Sequence, residues 1–238
     1  MLEIRNLSKR FNDRTVLEPI NLKIASGEIV FVLGKSGVGK SVLLKMIVGL
    51  ISPSAGEVWL DGTRTDPTQE EAMAEVRRKC GLVFQLPALF DSLTVLENLT
   101  FGKEKKDKSV LLEKLLLVHL DPSILSQYPS QLSFGEQKKV SLLRTLLCEP
   151  KYLLFDEPTT GLDPVITRVV NDLIQNCAKN LGAGCLVVSH DLASALRFAD
   201  RIVLIDQGKV VFQGSSLDFE ECQLPLAQAF RKGTVNLV

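Results

Sequence analysis

The loop between residues 34 and 41 constrains this fold more than any other part of the chain. It follows a short apolar run and matches the pattern G-x-x-x-x-G-K-S, with Gly34, Lys35, Ser36, Gly37, Val38, Gly39, Lys40 and Ser41. Glycines let the backbone curve around an anion, and the N–H groups at a helix start favour negative charge. The motif predicts a site for nucleotide phosphates. We expect Lys40 to reach the β- and γ-phosphates and the Ser41 hydroxyl to bind Mg²⁺.

Three continuous apolar runs predict strands that are buried on both faces of a parallel sheet. They cover residues 29–33, 152–155 and 185–189. Ligands of open α/β sheets bind at the carboxyl ends of such strands. In this sequence the first run is followed by the phosphate loop, the second by Asp156 and the third by His190. The sequence therefore predicts an α/β fold of the P-loop NTPase class.

Other segments have different patterns. The N-terminal stretch and residues 56–62 are typical of strands closed by turns, which we expect to be antiparallel, and residues 201–212 predict a late hairpin. Leucine-rich helical patterns, such as that of residues 110–120, dominate from about residue 89 to 150. We interpret residues 89–150 as a helical subdomain inserted into a single domain that covers residues 1–238.

Two adjacent carboxylates follow the second apolar run. Asp156 lies where a P-loop protein holds its metal ion, and Glu157, which must face elsewhere, can orient and polarise the attacking water. An acidic pair on a protein surface usually has no function, but the end of a buried strand favours the catalytic interpretation. A lone histidine is more often structural, yet His190 ends the third run, and this position favours a contact with the γ-phosphate.

Composition excludes some classes of function. Lys and Arg number 28, as do Asp and Glu, so the net charge of zero gives no reason to expect a nucleic-acid partner. No apolar run approaches the roughly 18–20 residues that span a bilayer, and the N-terminus lacks the features of a signal peptide. We expect a cytoplasmic protein that contacts a membrane only through a partner. The five cysteines have neither metal-ligand spacing nor an even count for disulfides.

Along essentially its whole length, the sequence resembles the ATP-binding cassette (ABC) transporter ATPases, with the motifs in the family's order. The resemblance implies a RecA-like core sheet with an antiparallel β subdomain. Phe11 lies where an aromatic ring stacks on adenine in the family, although a core aromatic is the alternative. Gln85 resembles the glutamine that contacts the metal ion and the attacking water and senses the membrane subunit. Asp163 resembles the aspartate of the loop that crosses the dimer, and His190 the switch histidine.

The segment from Leu132 to Gln137 resembles the family's LSGGQ signature, with Ser133, Gly135 and Glu136 as its candidate binding residues. It departs from the pattern at Phe134, which replaces a glycine, and at Glu136, which replaces a glutamine. Ser133 and Glu136 have the spacing of a capping box, so a helix still begins there with N–H groups exposed. These donors and the Ser133 hydroxyl can still bind the γ-phosphate held by another subunit.

The resemblance implies a homodimer that holds two ATP molecules between the P-loop of one copy and the signature of the other, and that drives an integral membrane permease. Residues 84–98, residues 156–167 and the tail near 230–233 are similar to ATPases of Mla/MCE-type lipid transport systems. That similarity implies phospholipid movement between membranes and an MCE-domain substrate-binding partner. Pro87 departs from the group, which often has a small residue there.

Alternative functions stay open. One is the ATPase of an importer of amino acids or other small solutes, and another is a soluble ABC scaffold ATPase that transports nothing. The segment between Lys40 and Ser133 is too short for the coiled coil of chromosome-maintenance ATPases. A role that binds ATP without turnover would be signalled by the loss of Glu157 or His190, and both residues are present.

Overall fold

The chain forms two β-sheets with helices packed around them, and this computed structural model describes residues 1–102 and 108–234. The described strands are β1 (Leu2–Phe11), β2 (Arg14–Ile24), β3 (Ile29–Leu33), β4 (Ala55–Leu60), β5 (Thr63–Arg64), β6 (Cys80–Val83), β7 (Tyr152–Asp156), β8 (Gly184–Ser189), β9 (Arg201–Asp206) and β10 (Lys209–Gly214). The described α-helices are α1 (Lys40–Ile47), α2 (Glu70–Lys79), α3 (Val95–Thr100), α4 (Lys108–Leu117), α5 (Phe134–Leu146), α6 (Pro164–Leu181), α7 (Leu192–Phe198), α8 (Ser216–Glu221) and α9 (Pro225–Arg231). Short 3₁₀ helices cover Pro122–Ser126 and Pro129–Gln131.

The larger sheet has the strand order β10-β9-β3-β8-β7-β6. Its neighbouring strands are parallel except for the antiparallel pair β9 and β10, so the predicted late hairpin is confirmed. Every residue of β3, β7 and β8 is buried, as their continuous apolar runs predict. The α/β fold with a mostly parallel core sheet is therefore confirmed.

The central strands divide the apolar interior into two clusters. Ile29, Phe31 and Leu33 of β3 face one cluster, which also contains side chains of α5, α6 and α7. Val30 and Val32 face the other cluster, which contains side chains of α1, α2 and the smaller sheet. Because successive side chains of a strand point to opposite faces, both faces of the central sheet are covered. Polar groups can therefore reach solvent at the carboxyl ends of its strands, which lie at one edge of the sheet.

The smaller sheet has the order β2-β1-β4-β5, and all its neighbouring strands are antiparallel, as predicted. The buried residues of β2 alternate with exposed ones toward its end, which is typical of a sheet with one covered face. The Glu18 N–H donates to the Gly208 carbonyl at 2.9 Å, and this bond joins β2 to the turn between β9 and β10. The smaller sheet is thereby held beside the P-loop.

The leucine-rich region contains α3, α4, the two 3₁₀ helices and α5. The prediction of a helix over residues 110–120 is wrong at its C-terminal end, because α4 ends at Leu117. His119 follows with a left-handed φ of 50°, and this turn lets Val118 and Leu120 enter the core. Leucines of this region belong to the same apolar cluster as β3. The assignment of residues 89–150 to an inserted subdomain of one domain over 1–238 stays a prediction.

Within the two described ranges, no helix combines the length and the apolarity that crossing a bilayer requires.

Candidate active site

The phosphate loop connects β3 to α1. Gly37 and Gly39 have φ angles of 77° and 107°, a region that favours glycine. A Cβ atom on Gly39 would also lie 2.7 Å from Leu17 Cδ2, so β2 requires a glycine at this point. No side chain caps the start of α1. The first N–H groups of α1 therefore face outward with the positive end of the helix dipole, an arrangement that binds phosphate.

Lys40 places a positive charge against this loop. Its side chain is buried, and Nζ donates to the carbonyls of Gly34 at 2.7 Å and Lys35 at 3.1 Å. Nζ also lies 3.5 Å from Glu157 Oε1. Burial lowers the pKa of Lys40, and the charges of Glu157 and Asp156 partly oppose this effect. The ammonium group can exchange these carbonyl contacts for phosphate oxygens without leaving the loop.

The Ser41 hydroxyl and the Asp156 carboxylate lie together. Ser41 Oγ donates to Asp156 Oδ1 at 2.7 Å, and burial raises the pKa of Asp156, an effect that this hydrogen bond opposes. Two hard oxygen donors on one side fit Mg²⁺, which typically takes its other ligands from water and substrate phosphates. Over the described parts of the chain, no cluster of three or more His, Cys, Asp or Glu residues forms a metal cage. Ser41 and Asp156 would therefore hold the ion together with water and the nucleotide phosphates.

Glu157 points away from Asp156 because its backbone adopts a left-handed φ of 47°. Its Oε2 atom lies 2.8 Å from His190 Nδ1 and accepts a hydrogen bond from Thr160 Oγ1 at 3.1 Å. The Glu157 N–H donates to the Val188 carbonyl of β8 at 2.9 Å. The carboxylate is largely buried and held by partners on several sides. This geometry suits a group that accepts a proton from water.

One cleft brings eight of the predicted site residues together. Its lining includes Ser36, Gly37, Gly39, Lys40, Ser41, Gln85, Glu157 and His190. Gln85 is exposed in this lining, and its contact with the metal ion stays a prediction. Sequence reasoning missed Val16, Val42 and Thr160, which also line the cleft. The position of Thr160, three residues after Glu157, could have indicated a hydroxyl near the site. Val16 lies on β2, and nothing in the sequence around it indicates a contact with the site.

Lys35 and Val38 line an adjoining cleft that the β9–β10 turn closes. Phe11 lines neither of the two clefts. Phe11 is 43% exposed, and Lys9 Nζ lies 4.7 Å from the centroid of its ring. The stacking of Phe11 on adenine stays a prediction.

The predicted capping box at the start of α5 is confirmed. Ser133 Oγ donates to Glu136 Oε2 at 2.7 Å, and the Glu136 N–H donates back to Ser133 Oγ at 3.3 Å. The hydrogen bonds from Ser133 lower the pKa of Glu136. Helix α5 therefore begins at Phe134 with a firmly held, negatively charged first turn.

The signature residues do not line the cleft of their own chain. Gly135 instead packs against α6, where an added Cβ atom would lie 2.3 Å from Ile166 Cδ1. Asp163 caps α6 by accepting the N–H groups of Val165 and Ile166 at 2.8 and 2.9 Å. The starts of α5 and α6 therefore lie side by side and form a second surface, which is separate from the cleft of the phosphate loop.

A phosphate loop between a strand and a helix, with an acidic pair at a nearby strand end of the same sheet, defines a P-loop nucleotide hydrolase. The family model described as "ABC transporter" matches residues 17–160. A solved structure of the ATP-binding cassette MJ0796, a dimer in a post-hydrolysis state bound to ADP and Pi, superposes with a TM-score of 0.82. It is 31% identical, and the match covers 91% of this chain and 99% of that one.

Curated relatives carry several names. Protein TRIGALACTOSYLDIACYLGLYCEROL 3, chloroplastic, of Arabidopsis thaliana is 36% identical over 99% of this chain and 74% of its own length. The probable sulfate/thiosulfate import ATP-binding protein CysA of Chlorella vulgaris is 39% identical, with 92% of each chain covered. The glutamine transport ATP-binding protein GlnQ of Escherichia coli (strain K12) is 37% identical over 90% of this chain and 91% of its own. The chain thus belongs to the ABC transporter family, as an ATP-binding subunit and an ATPase that uses ATP with Mg²⁺.

Proposed function

We propose that this chain is the motor subunit of a membrane transporter that moves phospholipid between membranes. Two copies bind two ATP molecules, and hydrolysis at Glu157 resets the dimer after it has driven an integral membrane permease. The observation that carries the hydrolytic part of the proposal is the Glu157 carboxylate, which His190, Thr160 and Lys40 hold beside the phosphate loop. Under this proposal the chain lies on the cytoplasmic face of the membrane, held there by the permease.

The hydrolytic step follows from this arrangement. Lys40 and the N–H groups of the loop hold the γ-phosphate and stabilise its developing charge. Ser41 and Asp156 would hold Mg²⁺, which neutralises phosphate charge when it is bound. Glu157 takes a proton from a water molecule, whose oxygen attacks the γ-phosphorus as the bond to ADP breaks. The contact between His190 and Glu157 keeps the carboxylate oriented toward that water.

A second copy completes the site. In one chain, the signature surface at the starts of α5 and α6 lies outside the cleft that contains Lys40 and Glu157. In a homodimer, the first N–H groups of α5 would bind the γ-phosphate held by the partner's phosphate loop, and the Ser133 hydroxyl would exchange its hydrogen bond to Glu136 for one to that phosphate. ADP lacks that phosphate, so closure depends on ATP. The separation of the two surfaces supports this arrangement.

The role of Glu157 is tested by E157Q, which keeps the shape of the side chain and removes its basicity. We expect ATP binding to be retained and phosphate release to slow by at least about 100-fold, the usual contribution of a general base. Equilibrium binding of a fluorescent ATP analogue and single-turnover phosphate release measure the two steps. E71Q, which makes the same change at an exposed position of α2, is the matched control. Turnover of E157Q near that of E71Q would contradict the role of Glu157.

The cargo is argued from two similarities. Residues 84–98 resemble the Mla/MCE-type ATPases, and the relative that matches 99% of this chain carries a name built on a diacylglycerol lipid. An MCE-domain substrate-binding protein is the further partner that this proposal includes. Small-solute import is the second candidate, because relatives named for sulfate and glutamine transport are 39% and 37% identical.

The two cargoes are separated by capture and reconstitution. The tagged chain is purified from gently solubilised native membranes, and the copurified chains are identified by mass spectrometry. The complex is then placed in vesicles, and ATP-dependent transfer of labelled phospholipid is compared with uptake of glutamine and sulfate, with an E157Q complex as the control. We expect a permease, an MCE-domain protein and lipid transfer. Solute uptake without lipid transfer would overturn the lipid proposal, and recovery of no membrane protein would contradict the transport role.

A further inference from the structure

Lys138 is a charged side chain with no exposed surface. It lies on α5, and its Nζ atom donates to the Phe84 carbonyl at 3.2 Å. Removing an ammonium group from water is costly unless opposite charges or strong hydrogen bonds compensate. Burial lowers the pKa of Lys138 to about 8, and the nearby charges of Asp156 and Glu157 oppose this effect. An apolar side chain could fill the same space without this cost, so the presence of a buried lysine requires another explanation.

The acceptor of this bond lies at the edge of the active site. Phe84 directly follows β6, and the pairing of Val83 with Phe155 places Phe84 beside Asp156 at the ends of two parallel strands. The next residue, Gln85, lines the cleft that contains Glu157. The Lys138 ammonium therefore connects the helix that begins at the signature to the backbone from which Gln85 emerges.

The adjacent lysine provides a comparison. Lys139 is also buried, and its Nζ atom donates to the His119 carbonyl at 3.3 Å. Because neighbouring helix residues are about 100° apart, the two lysines reach different parts of the structure. Lys139 holds the turn after α4, whereas Lys138 holds the strand end beside the acidic pair. The two side chains share helix, burial and bond type, but only the Lys138 bond reaches the edge of the cleft.

We propose that Lys138 is a positioning residue for ATP hydrolysis, which fixes the Phe84 carbonyl, and through it Gln85, to the signature helix. The inference rests on the proposed function, since it assigns Lys138 an effect through Gln85 at the hydrolytic site. When the start of α5 engages the partner's nucleotide, the bond carries the movement of α5 to Gln85. ATP binding at the phosphate loop does not depend on it, because Lys40 and the loop N–H groups lie on other elements.

The K138M variant tests this role. We expect kcat to fall about tenfold, the effect of losing one charge-assisted hydrogen bond, with the KM for ATP nearly unchanged. Methionine has a volume similar to that of lysine and removes the cost of a buried charge, but it leaves the Phe84 carbonyl without this donor. Denaturant unfolding therefore checks that the variant is folded under the assay conditions. K138R keeps a charged donor and should restore most of kcat. K139M removes the comparable bond to His119 and should retain wild-type kcat.

A double-mutant cycle with Q85A tests whether Lys138 acts through Gln85. We expect the double variant K138M/Q85A to be no slower than the slower single variant, because both changes remove the same positioning. Wild-type kcat in K138M, an equal loss in K139M, or losses that multiply in the double variant would each overturn the inference. If E157Q and Q85A lose turnover but K138M does not, this inference alone fails. Full turnover in E157Q contradicts the proposed function itself.

Discussion

At the scale of single residues, the proposed function makes hydrolysis depend on how the Glu157 carboxylate is oriented. His190 and Thr160 both contact its Oε2 atom, while Lys40 lies near Oε1. His190 follows β8, and Thr160 lies in the loop after β7, so the two partners approach from different elements. A carboxylate held in this way loses little freedom on reaching the transition state, which is a direct source of rate enhancement.

The Thr160 hydroxyl should therefore contribute to turnover without contributing to ATP binding. T160V removes the donor and keeps the shape, and we expect kcat to fall by about tenfold, the usual effect of losing one hydrogen bond to a charged group. The KM for ATP should stay nearly constant, and T160S should retain most of the activity. Steady-state phosphate release over a range of ATP concentrations measures both parameters. Equal activities of T160V and T160S would show that the hydroxyl has no such role.

At the scale of elements, the strands were predictable because burial on both faces excludes polar residues. The ends of the three apolar runs therefore predict the bounds of β3, β7 and β8 to within one residue. The start of α5 was equally readable, since Ser133 and Glu136 have capping-box spacing. The end of α4 was not, because the left-handed turn at His119 is selected by the packing of Val118 and Leu120 rather than by local propensity.

The residues of the candidate site also divide into those that local sequence patterns predict and those that only packing places. Lys40, Asp156, Glu157 and His190 could be predicted as candidate site residues because each lies in the phosphate loop or at the end of a buried strand. The role inferred for Lys138 had no sequence signal, since two adjacent lysines on a helix usually face solvent. Only the packing of α5 places the Lys138 ammonium against the end of β6. Contacts between elements far apart in sequence decide such positions, and short patterns do not contain that information.

At the scale of the whole molecule, the proposed dimer requires each chain to supply two half-sites, and the two lie on separate surfaces of one chain. The phosphate loop with Glu157 lines the cleft, whereas Ser133 lies outside that cleft, at the exposed start of α5. In a twofold dimer, a phosphate loop that meets the partner's signature generates two identical composite sites. A chain with a defective loop can then supply its signature to a partner whose own signature is defective.

This composite arrangement predicts complementation between two inactive variants. K40A removes the phosphate-loop cation, and S133R blocks the signature at an exposed position. Each variant alone should hydrolyse little ATP. An equimolar mixture should regain about a quarter of the wild-type rate, because roughly half of randomly formed dimers are mixed and each mixed dimer has one complete site. Phosphate release is measured after mixing, and K40A mixed with the double variant K40A/S133R, which forms no complete site, is the control. A K40A and S133R mixture no faster than this control would contradict shared sites, since sites contained within one chain could not be restored by a partner.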